Sequence, residues 1–132
     1  GVGGITNARS LAEMLTPLAQ NNEKLLSKNT VKRLSKSYSV PGKDSMLMLP
    51  TRFSEGLMIH MDNRDNFEGE GGSFIIGPSS FGHVGFGGSS ATFADPEYKM
   101  SFGYMVNKLG GEYLISKRCQ NLIDASYTSL LT

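Results

Sequence analysis

Near the start of the chain, the apolar residues Leu11, Met14, Leu15 and Leu18 recur every three or four positions, the period of one buried helical face. Thr6 stands where it caps that helix, and Pro17 with Asn21-Asn22 bends or ends it. Ser27 ahead of Thr30-Val31-Lys32-Arg33-Leu34 signals a second short helix, and Ser35 through Asp44 is a polar loop. The period then changes to two. In "EGLMIHM", Leu57, Ile59 and Met61 alternate with Met58 and His60, which predicts a half-buried strand with His60 on its solvated side. Asn63 to Gly72 is a polar turn region, and Asp62, Asp65, Glu68 and Glu70 belong to a solvated loop whose spacing does not match a calcium-binding EF-hand. "SSATFAD" (Ser89 to Asp95) predicts a strand and Asp95-Pro96-Glu97 a tight turn. "YKMSFGYMVN" (Tyr98 to Asn107) is then the antiparallel partner, with Met100, Phe102, Tyr104 and Val106 on one face. After Gly110-Gly111, the pattern of Ile115, Cys119, Leu122, Ile123 and Leu130 fits a closing amphipathic helix.

The order is helices at about 6–37, strands at about 55–107 and a closing helix at about 112–131, which predicts an α+β fold with a mainly antiparallel sheet and flanking helices. At 132 residues the chain is a single domain by length. Thirteen Lys and Arg against twelve Asp and Glu leave a net charge of +1 with both signs dispersed, so nothing points to nucleic acid. The apolar runs are too short to span a bilayer, and no signal peptide lies within these residues. One cysteine, Cys119, excludes an internal disulfide and suits a reducing, cytoplasmic compartment; within the apolar stripe of the last helix it acts as a small hydrophobe. Met46, Met48, Met58, Met61, Met100 and Met105 are expected as core filler.

The candidate chemistry is in Phe81 to Ser90, "FGHVGFGGSS". A Walker phosphate loop needs a lysine, and none occurs between Lys43 and Lys99. A dinucleotide fingerprint beginning at Gly85 would need glycine where Ser90 stands. His60, His83 and Cys119 are too few nitrogen and sulfur ligands for a zinc site, so no metal and no cofactor are expected.

Three stretches resemble one family. "GVGGITNARSLAEML", "FGHVGFGGSSATFADPEYKMSFGYMVNK" and "RCQNLIDASYTSL" are similar to segments of the serine β-lactamase-related proteins: class C β-lactamases, penicillin-binding peptidases and the serine esterases that share their fold. The second stretch resembles that family's third active-site motif, K-T-G or H-x-G, in His83-Val84-Gly85, followed by Gly87-Gly88-Ser89, Asp95-Pro96 and Asn107. The resemblance implies the C-terminal portion of a β-lactamase/transpeptidase-like fold and acyl transfer on a small ester or amide substrate. It places the Phe86 N–H as one oxyanion donor, Gly85 where substrate approaches an edge strand, His83 as a polar pocket residue, and Val84 and Gly87 as substrate-binding neighbours.

Acylation in the family also needs S-x-x-K and Y-x-N. No serine here has a lysine three residues on, and no tyrosine an asparagine two residues on. The expectation is a chain that supplies the third motif but lacks the nucleophile, inactive alone. It would be completed by a missing N-terminal half of the same domain, or paired with a second copy of itself. The alternative is a non-catalytic binding or assembly module of the same fold.

Overall fold

A computed structural model of the chain describes residues 3–36, 39, 42–65 and 72–131. Helix α1 (Ala8–Ala19) and helix α2 (Lys28–Leu34) come first. A two-stranded ladder of β1 (Gly42–Lys43) and β2 (Pro50–Thr51) follows. The main sheet takes β3 (Met58–Ile59), β4 (Phe81–Val84), β5 (Ser90–Asp95) and β6 (Met100–Met105) in that spatial order, with every pair antiparallel. Helix α3 (Lys117–Leu130) closes the chain. The class is therefore α+β, with helices on both faces of an antiparallel sheet.

Local chemistry fixes the ends of these helices. The cap of α1 is Asn7, one residue past the expected Thr6, because the Asn7 side chain accepts the Ser10 N–H at 2.9 Å. Pro17 lies inside α1, which runs on to Ala19 before Asn21 takes a positive φ. Ser27 caps α2 as expected. The closing helix begins later than expected, at Lys117, because the Ser116 side chain accepts the Cys119 N–H and sets the first turn there. The polar loop expected through Asp44 is corrected at its end, where Gly42 and Lys43 pair with Thr51 and Pro50. Glu68 and Glu70 lie outside the described residues, while Asp62 is held by Arg64 at 2.6 Å, which keeps its carboxyl down at about 2.

Strand alternation sorts side chains between two cores. Ala91 and Phe93 of β5, with Val84 and Tyr104, face Cys119 and Ile123 of α3, while Ala94 and Phe81 face Leu15, Leu18 and Ala19 of α1. Phe74, Phe81 and Phe93 are fully buried, each contributing roughly 1.5–3 kcal/mol relative to exposure. Phe93 stacks on Phe102 at 5.2 Å and on Tyr127 at 6.1 Å. Gly103 lets α1 sit directly on β6, since a Cβ there would collide with the Ala8 carbonyl.

Four expectations change. Met58 is buried in the α3 core while Ile59 enters the α1 core, so this strand is covered on both sides. Met46, Met48 and Met105 are exposed rather than core filler, and Met14 is exposed rather than part of the buried face of α1. Leu122 and Leu130 are also exposed, because the face of α3 that reaches the sheet is the i, i+4, i+8 stripe Cys119, Ile123, Tyr127.

The tie between α3 and the sheet is polar. The Tyr127 hydroxyl donates to Asp95 Oδ2 at 2.6 Å and accepts the Gly77 N–H at 2.7 Å, and Asp95 is 0% exposed. Tyr127→Phe leaves a buried carboxylate oxygen and a buried N–H short of partners. It should cost about 1–3 kcal/mol in urea unfolding, and a loss under about 0.5 kcal/mol would show that the tie is dispensable.

Burial pushes the Cys119 thiol up to about 12, and burial followed by the bond to Asp95 raises Tyr127. Both groups keep their protons in the fold at pH values where the unfolded chain releases them, so stability falls with pH above the ordinary thiol value of 9.0. Urea midpoints should drop from about pH 9 upward through pH 11, less steeply in Cys119→Ala. A rising midpoint over that range would contradict the burial of both groups.

Candidate active site

The stretch from His83 to Gly88 is where β4 ends and the chain turns into β5. Gly85 N–H donates to the Ser90 carbonyl at 2.8 Å, and His83 pairs with Thr92. By alternation, the N–H groups of Gly82 and Val84 point away from β5. On that side β3 pairs with Phe81 and Gly82 only. The first half of β4 is thus internal and the second half is an edge, which refines the expected edge strand. The Val84 N–H has no strand partner there among the described residues. Neither does the N–H of Phe86, which opens a short 3-10 turn (Phe86–Gly88) just past the strand.

The five expected site residues fall together on this segment in different ways. His83 is exposed, on the α1 face of the sheet. Its Nδ1 lies 2.8 Å from the Val84 carbonyl. In the neutral ring Nδ1 therefore carries the proton and Nε2 is left as an acceptor; the imidazolium offers a donor at both nitrogens. The Phe53 ring sits 6.4 Å away, tilted against the imidazole. Val84 turns its side chain into the α3 core, so only its backbone faces the site. Gly87 is buried with φ of 69° and accepts the Gly110 N–H through its carbonyl at 2.8 Å, which ties the loop after β6 to the turn. Phe86 projects its ring outward, 67% exposed.

Gly85 is explained by packing as well as by access. A Cβ there would run into the hydroxyls of both Ser89 and Ser90, so the absence of a side chain lets the β4–β5 connection close on itself. Sequence reading assigned those serines no part in this. His60, by contrast, is a structural residue: its Nδ1 lies 2.5 Å from the Ile76 carbonyl. Among the described residues no group of three or more His, Cys, Asp or Glu side chains is arranged to hold a metal ion, and no helix is long and apolar enough to cross a membrane.

Chemically, the segment offers an unpaired backbone N–H beside a glycine, with an imidazole two and three residues before them. Oriented backbone N–H groups of this kind stabilise a developing oxyanion. An antiparallel sheet between two helices, with His83-Val84-Gly85 at the end of a half-open strand, agrees with the β-lactamase/transpeptidase-like class of fold shared by similar solved structures. The chain belongs to the Beta-lactamase family, whose model matches residues 1–120.

Among solved structures, the chain is similar to a penicillin-binding protein homolog from Caulobacter crescentus, with 29% identity over 91% of this chain and a TM-score of 0.69. It is similar in fold to a family VIII carboxylesterase, at 24% identity over 89% of the chain and a TM-score of 0.70. It also resembles EstA from Arthrobacter nitroguajacolicus Rue61a, at 25% identity over 81% and a TM-score of 0.61. The chain spans 31%, 30% and 26% of the length of these three proteins, respectively. A search of curated proteins finds no match.

The packing at Gly85 can be tested directly. Gly85→Ala should cost about 1–3 kcal/mol through the displaced serine hydroxyls, whereas Gly111→Ala, which meets open space, should stay within about 0.5 kcal/mol. Equal effects in thermal melts would show that Gly85 is not packed as described.

Proposed function

We propose that this chain is the part of a β-lactamase-like serine hydrolase that presents the third active-site motif to a nucleophile carried outside these residues. The observation that carries this is the N–H of Phe86, unpaired among the described residues at the open end of β4 and flanked by Gly85 and by an exposed imidazole at His83. In that role the Phe86 N–H donates a hydrogen bond to a tetrahedral oxyanion, and Gly85 leaves the strand approachable. His83 donates to, or takes a proton from, a polar group of the substrate, while Val84 backbone and Gly87 shape the flanks. Substrates are small esters or amides.

With no S-x-x-K in the sequence, the chain alone has no activated nucleophile and turns over nothing. β6 is one of the two edge strands of the sheet, the other being the two-residue β3. The outer edge of β6 is the natural attachment point for the rest of the domain, or for a second copy when the rest is absent.

The test has two arms. The isolated chain should leave a chromogenic cephalosporin and a nitrophenyl ester intact and take no fluorophosphonate label; stoichiometric labelling of a serine in it would refute the proposal. In the complete protein, Phe86→Pro removes the N–H at the first position of a helical turn, where proline fits. That variant should lower kcat about 10²- to 10³-fold, while Phe86→Ala, which keeps the donor, should be far milder. Unchanged turnover in Phe86→Pro would show that the Phe86 N–H is not the oxyanion donor, whereas a complete protein that turns over neither substrate would favour a binding or assembly module instead.

A further inference from the structure

The rings of Phe86 and Tyr113 meet edge to face at 6.3 Å, yet Phe86 is 67% and Tyr113 54% exposed. Leu109, 62% exposed, stands against the same turn, its Cβ 3.2 Å from where a Gly87 side chain would begin. The hydrogen bond from Gly110 to Gly87 clamps the loop carrying Leu109 and Tyr113 against the 3-10 turn. Single exposed apolar residues are ordinary, but three that converge on one turn form a patch that calls for an occupant. One of the three also carries the proposed oxyanion donor on its own backbone. The Phe86 ring therefore lies within one side-chain length of the Phe86 N–H, the distance spanned by a flat group bonded close to the reacting carbonyl.

We infer that Phe86 and Tyr113, bordered by Leu109, form an aromatic wall that selects substrates with an aryl group next to the scissile ester or amide. This rests on the assignment of Phe86 N–H to the acyl-transfer site. The edge-to-face pair leaves the outer face of one ring open to a third ring in an offset or T-shaped contact, the arrangement aromatic groups favour. Clamping by the Gly110–Gly87 bond keeps the wall in place before substrate arrives, so little ordering is needed on binding.

The experiment compares hydrolysis of phenyl and methyl esters of the same acid by the complete protein, wild type against Tyr113→Ala and Tyr113→Phe. Tyr113→Ala should reduce the phenyl-over-methyl ratio of kcat/KM about tenfold with methyl ester turnover retained, and Tyr113→Phe should keep the wild-type ratio. In parallel, 3-fluorotyrosine at position 113 reports binding by fluorine NMR. Its signal should shift saturably with phenylacetone, a carbonyl compound that is not hydrolysed, and not with acetone. An unchanged ratio, an equal loss with both esters, or a signal indifferent to phenylacetone would each overturn the aromatic wall while leaving the acyl-transfer assignment standing. Should the wild type hydrolyse neither ester, that assignment fails, and the fluorine titration alone decides whether the rings hold an aryl group.

Discussion

The buried carboxylate of Asp95 is the point on which the arrangement of the chain depends. One oxygen accepts the N–H groups of Glu97 and Tyr98 at 2.9 and 3.2 Å, which shapes the turn between β5 and β6. The other accepts the Tyr127 hydroxyl from α3. That hydroxyl in turn accepts from Gly77 and lies 3.2 Å from the Ser80 hydroxyl, immediately ahead of β4. A carboxylate removed from water is tolerated only when its lone pairs are filled, so hairpin turn, closing helix and the entry to β4 are positioned together. Gly77 has no side chain because Asp95 and Tyr127 occupy that space.

With the start of β4 fixed, its end follows from the lengths of its neighbours. β5 pairs along the whole strand and β3 along half of it, so the strand is held firmly while, among the described residues, the N–H of Val84 and that of Phe86 just past it stay unpaired. The turn that follows needs left-handed backbone at Gly87 and Gly88, with φ of 69° and 60°, which side chains disfavour. Rigid support beneath an unsatisfied donor is what a preorganised oxyanion site requires. The same turn receives the loop that carries Tyr113, so any selectivity set by that ring is anchored to the same framework.

Much of this was legible in the sequence where a period was long enough to read. The β5–β6 hairpin was clear because Met100, Phe102, Tyr104 and Val106 alternate without interruption and Asp95-Pro96 marks the turn. The segment proposed as the third motif stood out through His83 and its glycines. Phe74 and Ile76, both core residues, carried no usable period, since Phe74 joins the sheet through a single bridge to Met61. The inward face of α3 was misjudged because Leu122 and Leu130 look more apolar than Tyr127, whose ring and hydroxyl do the packing and the bonding. The serine hydroxyls against Gly85 and the unpaired state of the Phe86 N–H are facts of tertiary geometry, which no spacing encodes.

Native-state hydrogen exchange at single amides tests the central claim most directly, because it reports which backbone donors the sheet consumes. The Gly85 amide, bonded to Ser90, should be strongly protected, and the Phe86 amide beside it should exchange at nearly the rate of an unstructured peptide. Protection of Phe86 equal to that of Gly85 would mean that the donor is already spent within the fold, and the acyl-transfer assignment would lose its basis.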